Sequence, residues 1–372
     1  MSANVARIAA RMAKLDASGI RKVFDLAAKM TDPINLSIGQ PDFDVPAPVK
    51  AQAIAAIQSG FNKYTVTQGA AGLREAIAAA CADEFGWTDD RPYLVTSGVS
   101  GALVLAYLVL VEPGDEVILL DPYFVMYEHL ANLCGGKTVP VDTYPDFSPD
   151  PARIEAAITD RTRMLVVNSP CNPSGRVYGD DVLAAIADVA ARHDLLVISD
   201  EIYNLFCYDQ PFASLASHCD NTLLMRSFSK SYAMTGWRLG WCTGPAAIIE
   251  KMTMLQQYSF VCAPSVAQAA GVAAMQCDMS AQRDAYRHKR DMVYDALAEP
   301  FGLIKPGGAF YAFVPAPEGE TGTEFVERAI AANVLIIPGN VFSRRDTHFR
   351  ISYATSDEKL ARGLDILAGL AR

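Results

Sequence analysis

Lys230 follows the apolar run Leu223-Leu224-Met225, within Ser227-Phe228-Ser229-Lys230-Ser231, and Arg238 opens the next apolar run eight residues later. In an α/β protein a lysine at the carboxyl end of a strand lies where ligands bind. Its neighbours Ser227, Ser229, Ser231, Thr235 and Gly236 are small or hydroxylic, so they leave room for a phosphate and supply donors. Arg238 is suited to pair with such a phosphate through two parallel hydrogen bonds. Taken alone, a lysine in a polar loop is more often simply solvated.

Other residues at strand ends carry compatible chemistry. Asp200 closes the apolar run Leu195-Leu196-Val197-Ile198-Ser199 and begins Asp200-Glu201-Ile202-Tyr203. A carboxylate at the end of a buried strand needs a partner. A protonated pyridine nitrogen is one, and that ion pair keeps the ring able to accept electrons; an exposed helix-capping aspartate is the plainer alternative. The strand Leu94-Val95-Thr96 runs into Ser97-Gly98-Val99-Ser100-Gly101 and then the apolar stretch Ala102 to Leu110. Strand, glycine turn and helix start together make an anion site. Phe124 follows the strand Val117 to Leu120, and Asn172 lies in the proline- and glycine-rich turn Ser169 to Gly175 after the strand Met164 to Asn168. A flat aromatic there can stack on a flat ring or simply fill core, and a rigid turn holds an amide still. Gly98, Phe124, Asn172, Asp200 and Lys230 thus all follow strands, which argues for one site at one edge of a sheet.

In order along the chain, these segments resemble the class I aminotransferases, which are fold-type I pyridoxal-phosphate enzymes. The family pattern S-[FL]-S-K, a short gap, then G-x-R-x-G stands here as Ser227-Phe228-Ser229-Lys230 and Gly236-Trp237-Arg238-Leu239-Gly240. The resemblance implies that Lys230 carries pyridoxal 5′-phosphate as a Schiff base and, once freed, moves the substrate proton. It implies a phosphate cradle of Gly98, Val99 and Ser100, completed by Ser227 and Arg238. Phe124, two residues after Pro122, becomes the stacking aromatic, Asn172 and Tyr203 reach the phenolic oxygen, and Asp200 faces the pyridine nitrogen. Asn172 keeps its place although Ser169 and Ser174 depart from N-P-x-N-P-T-G. Tyr64, in a Y-T segment, is implied to reach the cofactor phosphate of the partner subunit, hence a homodimer. Gly39, in Gly39-Gln40-Pro41-Asp42-Phe43, and Arg350, in an R-I-S segment, are implied to bind the substrate. The implied reaction moves an amino group from an L-amino acid to a 2-oxo acid. A carbon–sulfur lyase or a synthase on the same fold and residues is the alternative. Some aspartate-using relatives carry a lysine in the phosphate loop; residues 97–101 have none, which tells against a dicarboxylic substrate.

The elements that must position these residues follow from pattern and length. The chain has 372 residues, 51 % of them apolar, enough for one large and one small domain. Strands alternating with helices predict a mostly parallel sheet sandwiched by helices in an α/β domain over 46–280. A small α+β domain over 281–372, opened by a long helix from Ala281 to about Glu299, would be joined by the segment 1–45, whose basic, Ala-rich start to Lys14 reads as an amphipathic helix.

A net charge of −10 tells against nucleic acid or an anionic membrane as partner. The longest uncharged apolar-rich run, Val99 to Val111, is too short to span a bilayer. Eight irregularly spaced cysteines and five scattered histidines read as free thiols without a metal site, and a cytoplasmic location is expected. A nicotinamide dehydrogenase is disfavoured because G-x-G-x-x-G is missing. A regulator's ligand sensor would need a DNA-binding unit, for which there is no space or basic charge before residue 40.

Overall fold

A computed structural model describes residues 7–15, 19, 30–87 and 91–371. In chain order its strands are β1 (Ile34–Asn35), β2 (Tyr93–Thr96), β3 (Glu116–Asp121), β4 (Lys137–Asp142), β5 (Thr162–Asn168), β6 (Leu196–Asp200), β7 (Thr222–Ser227), β8 (Gly240–Thr243), β9 (Tyr311–Pro315), β10 (Val334–Leu335), β11 (Ile337–Pro338) and β12 (His348–Ser352). β2 to β8 form one seven-stranded sheet of order β2-β8-β7-β6-β5-β3-β4. Only β8 is reversed, antiparallel to both β2 and β7. The other six therefore point one way, and their carboxyl ends share an edge. Runs such as Val197-Ile198 and Leu223-Leu224-Met225 are buried on both sheet faces, so they carry no polar alternation.

The edge strand β4 escapes the sequence reading. Its sequence KTVPVD is exposed or half-buried except at Val141 and contains Pro140, which an edge tolerates because one side has no ladder to serve. The helices α1 (Ala47–Gln58), α2 (Ala71–Phe85), α3 (Gly98–Leu110) and α4 (Met126–Cys134) pack on this sheet. α3 begins at Gly98, four residues before the helix expected from Ala102, so the expected turn is the helix's own first turn.

The remaining strands build a three-stranded antiparallel sheet of order β11-β12-β9 and a parallel β1–β10 pair that joins the N-terminal segment to this part of the chain. Its core includes Ile34, Leu36, Val314, Phe325, Ile351 and Leu364. Each such side chain contributes roughly 1.5–3 kcal/mol when fully buried. The long helix, here α5 (Ser280–Phe301), covers the core with α6 (Asp357–Leu370). The amphipathic helix expected up to Lys14 is not found: Ala10–Lys14 is a 3-10 helix with no buried residue, and residues 1–6 lie outside the described residues.

An ion network with Arg226 and Glu201 buried and Glu84 exposed ties the strand ends together. Arg226 of β7 donates to both carboxylate oxygens of Glu84 on α2, at 2.5 and 2.7 Å, and to Glu201 at 2.8 and 3.0 Å. Glu201, directly after β6, also accepts from Ser199 and Ser214. Burial pushes the Glu201 carboxyl above its ordinary range, and Arg226 opposes that rise. Removing one member of such a pair costs about 3–5 kcal/mol because the other charge stays buried.

Candidate active site

A cavity of about 590 Å³ is lined by Val99, Ser100, Phe124, Asn172, Asp200, Tyr203, Lys230, Arg238, Gly39 and Arg350, among others. The strands that deliver Val99, Phe124, Asn172, Asp200 and Lys230 are β2, β3, β5, β6 and β7, all running the same way.

Asp200, the last residue of β6, is 3 % exposed. Its Oδ2 accepts from the Tyr127 hydroxyl at 2.7 Å and its Oδ1 from the Ile202 N–H at 3.2 Å. Burial pushes its carboxyl up to about 6, against the pull of those two donors. A buried acid held part-way to ionisation is a place for a cation.

Lys230 sits in a single helical turn, Phe228–Ser231. Ser227 caps that turn: its hydroxyl oxygen accepts from the Ser229 N–H at 3.0 Å and its O–H donates to the Leu239 carbonyl at 3.2 Å. Lys230 Nζ donates to the Gly39 carbonyl. Desolvation, then the charges of Arg350 and Arg238, push its amine down to about 8. Far more of it is then neutral near physiological pH than of an ordinary lysine, and the neutral form is the one that attacks a carbonyl.

Arg238 holds a left-handed backbone, φ 54°, after a short 3-10 turn, and its guanidinium donates to the carbonyls of Thr235 at 2.8 Å and Ser97 at 3.4 Å. Gly98 has φ +70°, and a Cβ there would lie 2.7 Å from Arg238 Nη2. Only glycine lets the first turn of α3 approach this guanidinium. The first N–H groups of that helix have no partner within it, so helix start and arginine together form an anion cradle.

The opposite side is built around Arg350, 1 % exposed in β12. Nη1 donates to Asn172 Oδ1 at 2.9 Å and Nη2 to the Ser37 carbonyl at 2.7 Å. The guanidinium carbon lies 4.5 Å from the Tyr311 ring centre and 4.6 Å from that of Phe342. Nε is buried with no hydrogen-bond partner among the described residues, an open donor on a buried cation. Because Asn172 Oδ1 is committed to Arg350, its amide nitrogen is the group left to donate. The Asn172 turn is pinned by Asn168, which accepts from the Asn172 N–H and donates to the Asp200 carbonyl, each at 2.9 Å. The Tyr203 hydroxyl lies 3.0 Å from that of Tyr311.

Of the expected site residues, Val99, Ser100, Phe124, Asn172, Asp200, Tyr203, Lys230, Arg238, Gly39 and Arg350 meet at this cavity. Gly98 and Ser227 stand behind its lining, shaping the cradle and the lysine turn. Tyr64 is not brought there within one chain; it is 82 % exposed. Sequence reasoning missed Tyr127, Tyr311 and Asn168. Tyr127 was within reach, since it lies three residues after Phe124, one turn on as α4 begins. Tyr311 had no local signal. It becomes a neighbour of Arg350 only through the β9–β12 register, in which Arg350 faces Phe313 and Tyr311 stands diagonally two residues away.

These residues fit pyridoxal phosphate. The group requires an amine, a carboxylate for its ring nitrogen, donors for its phenolic oxygen and an anion cradle, and the cavity presents each with room to spare. The sequence model of the class I and II aminotransferases matches residues 31–367. Aspartate aminotransferase of Pyrococcus abyssi is 38 % identical over 97 % of both chains. Aromatic-amino-acid aminotransferase 2 of Thermococcus litoralis is 37 % identical over 95 % of this chain and 96 % of its own. The structure of Thermus thermophilus aspartate aminotransferase with maleate superimposes with a TM-score of 0.93, at 36 % identity, over 98 % of this chain and 99 % of that one. The chain belongs to the class I and II aminotransferases and is a pyridoxal-phosphate-dependent transaminase.

Proposed function

We propose that Lys230 holds the cofactor covalently and carries the substrate proton, while Arg350 binds the α-carboxylate of an L-amino acid and of its 2-oxo acid counterpart. The observation that carries this reading is the convergence of a buried carboxylate, a lysine with a depressed pKa and a buried arginine with an open donor on one cavity. Pyridoxal phosphate, when bound, supplies an aldehyde for capturing amino groups and a ring that takes up electrons from the α-carbon. Asp200 keeps that ring protonated, and Tyr127 holds Asp200 in place from behind. Arg238 and the start of α3, at Val99 and Ser100, bind the phosphate. The Asn172 amide and the Tyr203 hydroxyl donate to the phenolic oxygen. Phe124, packed edge-on against Tyr127 with ring centres 5.7 Å apart, supplies a flat wall. Lys230, once displaced by the incoming amino group, would be free to take the α-proton and give it to the cofactor carbon that had carried the aldehyde. Residues 46–280 serve as the cofactor-holding unit, and 281–372 with 1–45 as the unit that brings Arg350. Free cysteines accord with a reducing, cytoplasmic setting.

The test is the visible spectrum of the loaded protein, before and after single L-amino acids are added without an acceptor. The yellow band should bleach with at least one amino acid and return when a 2-oxo acid is added. A band that no amino acid bleaches would sink the transfer reading.

We further propose a homodimer with shared sites, a reading supported by the exposed apolar face around Tyr64. Ile57, Phe61, Tyr64, Val66, Tyr258 and Phe260 are all exposed there. The segment carrying Tyr64 is fastened to the chain bearing the others: Gln256 Nε2 donates to the Thr67 carbonyl at 2.8 Å and Gln268 Nε2 to Thr65 Oγ1 at 3.1 Å. Phe260 reaches α3, where a Cβ on Gly101 would lie 3.8 Å from its ring. The face therefore adjoins the phosphate cradle, as Tyr64 serving a second copy requires. Sedimentation should give a dimer, and a fully active monomer would refute shared sites.

A further inference from the structure

The loop from Ser37 to Asp42 touches both halves of the chemistry: the Ser37 carbonyl accepts from Arg350 and the Gly39 carbonyl from Lys230. Gly39 lies against Tyr311 so closely that a Cβ would overlap the phenol oxygen. The loop's N-terminal end is held by backbone bonds, Leu36 N–H to the Leu335 carbonyl at 2.9 Å and Ser352 N–H to the Leu36 carbonyl at 2.7 Å. Its C-terminal end is held by side chains that do not line the cavity. Lys289, on α5 and 7 % exposed, places its Nζ 3.1 Å from Asp42 Oδ2 and 2.8 Å from Asp357 Oδ1, and also donates to the Thr355 carbonyl. Tyr286, one helical turn earlier on the same face, accepts from the Asp42 N–H at 3.3 Å.

A buried ammonium must be compensated to be tolerated, and this one donates to the Thr355 carbonyl and to Asp357, at the start of α6, and forms an ion pair with Asp42. One charge thus fastens the loop to two helices at once. Lys289 reaches the loop through Asp42, three residues from Gly39, the position that touches Lys230, so it acts through the loop and not on substrate.

We infer that Lys289 and Asp42 form a positioning clamp that sets the Ser37–Asp42 loop, and through it the orientation in which Arg350 presents itself to the substrate carboxylate. The inference rests on the reading of Arg350 as the carboxylate-binding residue. The clamp's target is substrate affinity, because the cofactor's phosphate and ring are held from α3, β6 and the Arg238 turn, none of which Lys289 or Asp42 touches, and Lys230, though it meets the Gly39 carbonyl, is placed by its own Ser227-capped turn.

The experiment measures steady-state kinetics and cofactor affinity of the loaded enzyme for Lys289→Met, Lys289→Arg, Asp42→Asn and, as a reference, Arg350→Lys. Lys289→Met and Asp42→Asn should raise KM for the amino acid about tenfold with kcat reduced less than about threefold, as a misplaced binding group does. Cofactor affinity and the visible band should stay as in the parent. Lys289→Arg should recover most of the affinity, since a guanidinium still reaches Asp42. If KM is unchanged in both neutral variants, or kcat and cofactor affinity fall with KM in proportion to lost thermal stability, the clamp is only structural and the inference fails. If Lys289→Met does not fold, Asp42→Asn carries the test alone. A normal KM in Arg350→Lys would instead overturn the carboxylate reading, so the two failures are distinct.

Discussion

Lys230→Ala is expected to leave a folded protein whose amino-group transfer falls by at least about 10⁴-fold, the scale of losing a positioned acid–base group together with the covalent anchor. The neighbourhood explains why no other group substitutes. The lining arginines, Arg238 and Arg350, carry guanidinium groups that offer donors and no acceptor, and neither can form the covalent anchor. The amine of Lys230 is made available by burial and by those two positive charges, which push it down to about 8. Capture of the cofactor by the unloaded protein should accordingly quicken as pH rises towards about 8 and level off above it, because only the neutral amine attacks. Stopped-flow growth of the yellow band measures this, and a rate that keeps climbing about tenfold per pH unit through pH 9, as for an ordinary lysine, would remove the depressed pKa from the account. Full turnover in Lys230→Ala would remove the lysine itself.

Asp200→Asn should lower kcat by about 10²–10³-fold, the magnitude for losing one preorganised electrostatic contact in a buried site. Cofactor should still bind, since the phosphate cradle is intact. The same substitution has an opposite effect on the unloaded protein. The folded-state carboxyl titrates near 6 and the unfolded one near 3.8, so the folded state binds more protons between those values. Stability contributed by this group is therefore present at low pH and lost as pH rises through about 6, a burden of roughly 3 kcal/mol. Unloaded Asp200→Asn should be more stable than the parent at pH 8 and lack that slope, by urea denaturation at several pH values. Unchanged kcat, or an unloaded variant less stable at pH 8, would contradict the role assigned to Asp200.

Most of the cofactor side was legible because strand ends announce themselves: Asp200 closes an apolar run that must be buried on two faces, and Lys230 follows another within a cluster of serines. The parallel direction of the sheet was legible for the same reason. What was not legible depended on geometry across elements. The reversed β8 looks like any other apolar strand, and β4 is too polar to stand out. Ser227 reads as one hydroxyl among several near a phosphate, whereas its bonds to Ser229 and Leu239 commit it to capping the lysine turn. Tyr311 and the Lys289–Asp42 pair exist as neighbours only once β9, β12 and α5 are assembled. Tyr64 answers to a surface that one chain does not complete.

The bond from Arg350 to the Ser37 carbonyl joins positions 313 residues apart, whereas Arg238 meets Ser97 across 141. On a ribosome these distances become times. Every strand that aims a group at the cofactor is made before residue 244, while the sheet that carries Arg350 is complete only at Ser352. Units fold as they emerge, amino end first. A growing chain thus finishes the strands that end at the cavity about a hundred residues before it owns Arg350. On the role proposed for Arg350, recognition of the amino acid is the last property synthesis confers, and it arrives by drawing an early-made loop back across the finished sheet.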